Sequence, residues 1–200
     1  MTVFPIFTCV CIFGITYNII RIRTSKKDKK NEQSFWARED QANSTQTMDI
    51  SDLPYINIPI DYLPIGIMDD PELIECENAI RELADKKILN LSNYSNTDLK
   101  LKYGAGNINI LSECDDNFNT LAHLIIKWAT ELDRLGFLDE AITVLEYGIN
   151  WESDLKVNYV LLGQLYCQRG EYSQVDELIA TASKLDSKSK DGIIAALNAL

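Results

Sequence analysis

The pattern of apolar and polar positions divides this chain of 200 residues into three parts. Residues 3–20 are almost continuously apolar, and residues 21–52 are polar and charged with few large apolar side chains. From residue 71 onward apolar residues recur at spacings of three and four, as in helices that bury one face. The pattern therefore predicts a folded domain of about 150 residues, built largely from amphipathic helices, behind an apolar N-terminal segment.

The apolar segment 3–20 predicts a single N-terminal transmembrane helix. At about 1.5 Å per residue it reaches ~27 Å, close to the thickness of the hydrocarbon core. No basic residue precedes Val3, and Arg21 and Arg23 follow the segment, which favours an uncleaved anchor over a cleaved secretory signal. Because basic flanks stay in the cytoplasm, we expect a single-pass cell-membrane protein with its N-terminus outside and its C-terminal domain cytoplasmic.

Residues 21–52 predict a basic, polar and flexible tether, because such a composition buries too little apolar surface to offset its ordering entropy. Phe35 and Trp36 interrupt this stretch, and a partner, the membrane surface and the domain itself are all candidate contacts for them. Three prolines in residues 53–70 exclude a helix there, and the apolar residues between them predict an extended arm lying on the domain.

Two helix starts are visible before the middle of the chain. Asp70 and Pro71 form an N-cap followed by proline at the first helical position, which predicts a helix over residues 71–87. Ser95 is the N-cap of a second predicted helix. We expect the two to pair as a helical cap hairpin spanning residues 71–117.

A repeated pattern of small and large residues runs through the C-terminal half, and Gly136 and Gly170 stand at the same place in its two copies. Their separation matches the period of about 34 residues at which certain helical hairpins recur and stack into solenoids. The pattern resembles the tetratricopeptide repeat (TPR) family at these framework positions: Trp128, Ala129, Gly136, Ala141, Tyr159, Gly163, Tyr166, Gly170 and Ala182.

The resemblance covers residues 118–189 and implies two TPR-like repeats in a short, all-α helical-hairpin solenoid. Because each repeat must bury a face on a neighbour, we expect the hairpin at 71–117 to cover one end and a C-terminal capping helix, residues 190–200, to cover the other. Taken whole, the chain resembles single-pass TPR membrane proteins of clostridial bacteria, in segments such as Ser34–Glu39 and Ser95–Lys100.

The TPR resemblance also implies a partner-binding groove, which in that family is lined by the first helix of each repeat. The candidate residues are His123, Ile126, Thr130, Asp133, Val157, Val160, Gln164 and Cys167. Ile126 and Val160 stand where TPR domains that grip a C-terminal carboxylate carry lysine. An apolar or basic helical segment of a partner protein is therefore the expected ligand.

Charge and cysteine content narrow the function classes. The formal net charge is −11, and residues 1–30 hold six basic residues and one acidic residue, so the rest carries −11 − 5 = −16. An acidic body lacks the basic footprint of nucleic-acid binding. The five cysteines form no Cys-x-x-Cys pair and predict reduced, structural thiols.

Nothing in the sequence predicts catalysis, a cofactor or a metal site. His123 is the only histidine, and no nucleophile or second base is paired with it. Residues 115–119 resemble a calcium loop only faintly and are better read as a helix cap. The expected function is a protein interaction scaffold or adaptor at the cytosolic face of the membrane. The alternative is an exported, chaperone-like TPR protein on the outer face. Sequons such as Asn43 and Asn93 would be used only if the domain faced a secretory lumen.

Overall fold

The computed structural model describes residues 3–151 and 153–200, except that the side chains of residues 3–16, 18–20, 25 and 27 are outside the description. Among the described residues, no helix is long and apolar enough to cross a membrane. The predicted anchor, residues 3–20, lies almost entirely outside the described side chains.

The described chain is all-α, as predicted, and contains no strand. Short 3-10 turns occupy Ile60–Tyr62 and Ala105–Asn107. The helices of the described residues are α1 Val3–Asn43, α2 Pro71–Ala84, α3 Asn96–Tyr103, α4 Ile108–Arg134, α5 Leu138–Ile149, α6 Lys156–Arg169, α7 Tyr172–Ala182 and α8 Lys190–Leu197.

The repeat period that separates Gly136 from Gly170 reappears in the helix boundaries. Helices α5 and α7 begin one period apart, at Leu138 and Tyr172. Helices α6 and α8 begin at the same interval, at Lys156 and Lys190. The helix α8 therefore starts where the first helix of a further repeat would start, and it packs against α6 and α7. The helical-repeat architecture extends into the C-terminal helix.

Helices α4 and α6 end in the same left-handed glycine cap. The φ angle is 86° at Gly136 and 76° at Gly170, a region in which residues with a Cβ are strained. In both caps the glycine N–H donates to the carbonyl three residues back, and the next N–H donates to the carbonyl five residues back. The donor and acceptor pairs, at 2.9 to 3.0 Å, are Gly136 with Asp133, Phe137 with Leu132, Gly170 with Cys167 and Glu171 with Tyr166.

The predicted cap hairpin over 71–117 is wrong in its pairing. The helix α2 starts as predicted, with the Asp70 carboxylate accepting the N–H groups of Glu72 and Leu73, but it packs against α4. Helix α3 is short, ends at Gly104, where φ is 88°, and packs against α1 and α4. The pairing differs because the second predicted helix is broken at this glycine.

Helix α4 begins at Ile108, well before the predicted repeat boundary at 118. No glycine or proline interrupts residues 108–134, and its buried side chains recur three and four apart, so a single helix is favoured. Asp115 is consequently inside α4 and not at a helix cap. Its carboxylate instead accepts the N–H of Leu91 at 3.0 Å, while burial raises the pKa of Asp115.

The segment predicted as a flexible tether is helical as far as Asn43, since α1 continues through it. It contains no glycine or proline between residues 21 and 43, and its last turns bind α3. Arg38 pairs with Asp98 at 2.6 Å, and Glu39 pairs with Lys100 at 3.2 Å and accepts a hydrogen bond from Thr97. We call these contacts the α1–α3 clasp.

Phe35 and Trp36, one turn before the α1–α3 clasp, remain exposed. Their side chains are 55% and 57% accessible, and the two rings meet edge to face with centroids 5.4 Å apart. Of the candidate contacts, the structure shows only the one between these two rings.

The proline-containing arm lies on the domain. Ile58 and Leu63 are buried in the main core. The Tyr147 hydroxyl of α5 donates to the carbonyl of Asn57 at 2.7 Å, and the N–H of Gly66 donates to the Glu77 carboxylate of α2 at 2.9 Å. The arm is therefore bonded to both flanks of the helical body.

Most of the predicted framework residues lie in this main core, and Trp128 and Tyr159 are among its largest fully buried side chains. The TPR resemblance implies that the small residue Gly163 lets the first helix of its repeat approach the second, and this expectation needs correction. A Cβ at Gly163 would lie 2.7 Å from Leu200 and 2.9 Å from Leu197, but 3.9 Å from Leu178 of α7. The missing side chain admits the C-terminal helix more closely than it admits the second helix of the repeat.

We expect Gly170→Ala to lower the free energy of unfolding by about 1 kcal/mol, because alanine is strained in the left-handed region. Gly192→Ala is the matched control, since Gly192 lies inside α8, has no positive φ and would place its Cβ in open space. Alanine there should stabilise by about 0.5 kcal/mol. Urea unfolding of the full chain measures both, and equal effects of the two changes would contradict the assigned cap.

The α1–α3 clasp should loosen in acid. The hydrogen bonds from Thr97 and Lys100 hold the pKa of Glu39 below its ordinary value of 4.5, and those from Ser95 hold the pKa of Asp98 below 3.8. Because the folded pKa values are depressed, this stabilisation is present above the ordinary values and is lost as pH falls through the lowered ones.

Spin labels at Glu32 on α1 and Asn109 on α4 should report this as a narrow distance distribution at neutral pH that broadens below about pH 4. The double variant Glu39→Gln, Asp98→Asn should already be broad at neutral pH. A distribution that stays narrow in both experiments would show that α1 is held by other contacts.

Candidate partner-binding surfaces

The predicted groove residues form two sets of four, one on α4 and one on α6, and none of them is buried. Val157 is the most prominent apolar member, with 59% of its surface accessible. The exposed members are His123, Thr130, Val157 and Gln164, and the half-buried members are Ile126, Asp133, Val160 and Cys167. We call these eight residues the α4–α6 surface.

A close approach at Gly148 relates the two helices of this surface. Both α4 and α6 pack against α5. A Cβ at Gly148 of α5 would lie 2.8 Å from Asn158 Nδ2 on α6 and 2.9 Å from Ile125 Cγ2 on α4. The absence of a side chain at Gly148 therefore lets α4 and α6 both approach α5 there.

Helix α2 borders the α4–α6 surface along α4. Lys127 lies between Glu72 and Glu75 of α2 at 3.5 and 3.3 Å, and Arg134 reaches Asp70 at 3.4 Å. Lys127 is one helical turn from His123, and Arg134 is one turn from Thr130. The acidic helix α2, which binds both cations, therefore lies beside the α4–α6 surface. The Thr130 hydroxyl donates to the Ile126 carbonyl at 2.7 Å and is thereby used within the helix.

A cleft of about 760 Å³ lies elsewhere, where the connecting segments meet. It is bounded by the start of the arm, the loop between α2 and α3, the end of α3, and the loops before α6 and α8. We call it the loop cleft. Its lining residues are Leu53, Pro54, Ile56, Leu89, Asn90, Leu91, Ser92, Asn93, Tyr94, Lys102, Tyr103, Asn150, Trp151, Asp154, Leu185, Asp186 and Ser187.

Specific hydrogen bonds hold the walls of the loop cleft together. Asn90 donates to the Trp151 carbonyl at 3.1 Å, and the Trp151 ring packs edge to face on Tyr147 with centroids 4.3 Å apart. The Ser187 hydroxyl donates to the Asp154 carboxylate at 2.5 Å, which ties the loop before α6 to the loop before α8.

The two loops repeat one local turn. Ser153 Oγ accepts the N–H of Leu155 at 3.4 Å, and Ser187 Oγ accepts the N–H of Ser189 at 3.1 Å. The two serines are separated by the same period as Gly136 and Gly170, so this turn belongs to the repeat as much as the glycine caps do. It places both loops at the same edge of the stacked hairpins.

Charges of both signs line the loop cleft. The Lys102 ammonium lies 4.6 Å from the Tyr94 ring centroid and 5.1 Å from that of Tyr103. It donates to the Tyr94 hydroxyl at 2.9 Å, and this bond raises the pKa of Lys102. The Asp186 side chain is exposed. Tyr147, whose ring packs against Trp151, is not a lining residue, and burial raises its pKa to about 12.

Sequence reasoning missed the loop cleft because its lining comes from five separate segments. Only one signal pointed to it, the serine that recurs at the repeat period before α6 and α8. Among the side chains that the structure describes, no three of His, Cys, Asp or Glu lie close enough together to hold a metal ion.

Comparison with known proteins gives no match for this chain among protein-family models, curated proteins or solved structures.

Ser187→Ala should lower the free energy of unfolding by about 1 kcal/mol, because it removes one partner each from Asp154 and the Ser189 N–H. Hydrogen exchange in residues 150–151, 153–155 and 185–189 should also accelerate. Ser183→Ala is the control, since this exposed hydroxyl only donates to the Ile179 carbonyl in its own helix. Its effect should stay within about 0.5 kcal/mol. Unchanged exchange in Ser187→Ala would contradict the proposed link between the loops.

Proposed function

We infer that this chain is a membrane-anchored TPR-like protein that acts as a protein interaction scaffold or adaptor at the cytosolic face of the membrane. One observation carries the inference. Two consecutive helical hairpins share one repeat period and a glycine cap, and the first helix of each keeps an accessible face. Stacked hairpins of this kind offer extended surfaces for holding other proteins.

The α4–α6 surface favours a partner with an apolar helical face. Val157 is exposed, and Ile126 and Val160 are half-buried, so the surface offers apolar contact without a lysine clamp. Beside it, two carboxylates of α2, Glu72 and Glu75, share the single cation Lys127, which leaves an excess of negative charge, and the chain beyond residue 30 carries −16. Apolar contact rimmed by acidic charge suits an amphipathic helix with basic flanks.

The membrane part of the proposal rests on the apolar segment 3–20 and on the six basic residues of 21–30. The alternative, an exported chaperone-like protein on the outer face, has the same fold and the opposite topology. Protease added to intact cells distinguishes them. We expect the domain to be protected, and digestion from outside would favour the exported alternative.

A photo-crosslinking amino acid at Val157, in the full chain in its native membrane, should give a covalent adduct with a partner protein. The matched control is the same amino acid at Tyr172, which is 66% accessible but lies on α7, away from the α4–α6 surface. Mass spectrometry of the adducts should identify one protein at Val157 and none at Tyr172. Adducts of equal yield at both positions would contradict a specific binding surface.

A further inference from the structure

We propose that the loop cleft is a second binding site, which takes an extended peptide of a partner protein that carries apolar and basic side chains. This inference rests on the proposed function, since it adds a peptide site to the interaction surface already described. The cleft is at the loop edge of the repeats, and α4 contributes none of its described lining residues. The site is therefore distinct from the α4–α6 surface.

The shape of the loop cleft suits a peptide. Its volume of about 760 Å³ is within the range of roughly 300–1,000 Å³ in which pockets enclose drug-sized ligands, which leaves room for a short stretch of peptide. Leu53, Ile56 and Trp151 are half-buried among its lining residues and keep apolar surface in contact with water. An apolar side chain of the ligand would cover these groups and remove apolar area from water.

The polar groups of the loop cleft match a peptide backbone. Asn93 and Asn150 line the cleft, and within the described residues their carboxamides form no hydrogen bond. A carboxamide both donates and accepts, so it pairs with the N–H and C=O groups that an extended peptide leaves unused. A helical segment has already paired these groups internally, and the carboxamides would gain nothing from it.

Charge favours a basic peptide. Asp186 is exposed and forms no ion pair within the described residues, so its charge is available to a ligand. Lys102, the only cation among the lining residues that the structure describes, is held by Tyr94 and Tyr103. The described lining therefore contains two acidic side chains, Asp154 and Asp186, and one basic side chain, Lys102. The formal net charge of residues 31–200 is −16. Nearby carboxylates attract basic ligands and repel acidic ones.

The test uses the full chain in detergent micelles and two fluorescein-labelled peptides, one of alternating leucine and lysine and one with glutamate in place of lysine. Fluorescence anisotropy should show binding of the lysine peptide only. Asp186→Lys should weaken it about fivefold or more. Asp176→Lys, an exposed acid on α7 outside the cleft, is the matched control and should change the affinity by less than about twofold.

A second variant changes the affinity in the opposite direction. Lys102→Met keeps an unbranched apolar side chain on the two tyrosine rings and removes the cation from the lining, so it should strengthen binding of the lysine peptide. Urea unfolding of this variant checks that it keeps the fold, and a gain in affinity by the folded variant then reports on the cleft itself.

Three results would overturn the proposal: no binding of the lysine peptide, equal binding of both peptides, or equal effects of Asp186→Lys and Asp176→Lys. Val157→Lys separates this from the proposed function. If the peptide binds the α4–α6 surface, Val157→Lys will weaken its binding and Asp186→Lys will not. The loop cleft is then not a peptide site, while the interaction function stands.

Discussion

The buried face of α4 is the surface on which the two ends of the domain meet. Nine of its side chains are buried along 27 residues. Helix α2, which precedes α4 in the chain, packs against α4. Helix α5, which follows it, also packs against α4 and in turn contacts α6. Because the helix runs unbroken from Ile108, it joins the loop cluster around Leu91 to the first repeat. The arm, the repeats and α3 depend on that continuity for their relative positions.

The parts of the fold that local hydrogen bonding decides were predictable. The N-caps at Asp70 and Ser95 start α2 and α3, and the glycine caps at Gly136 and Gly170 end α4 and α6. The pairing of helices was not predictable in this way. It depends on which apolar faces meet, and the contacts of Arg38 and Glu39 lie about 60 positions away in sequence. The polar composition of residues 21–52 therefore predicted a flexible tether, because it contains no information about these distant contacts.

The two candidate sites differ in the same respect. The eight residues of the α4–α6 surface could be proposed from the repeat period, and each of them is exposed or half-buried. The loop cleft depends on how five segments meet, and no periodicity contains that information. Gly148 lies between these cases. It lies in a helix that the repeat pattern predicts, but the reason for a glycine there, the approach of Asn158 and Ile125, is tertiary.

The continuous helix α1 has a geometric consequence for whatever holds its first end. From Arg21 to Asn43 a helix spans about 35 Å, so Arg21 and the domain are separated by a fixed distance. A flexible tether would let that distance vary. The length of the helix also determines the orientation of the domain about the helix axis. Each residue added to or removed from this strut would turn the domain by about 100° around the helix axis. Its length therefore sets the direction in which the repeats face as well as their height.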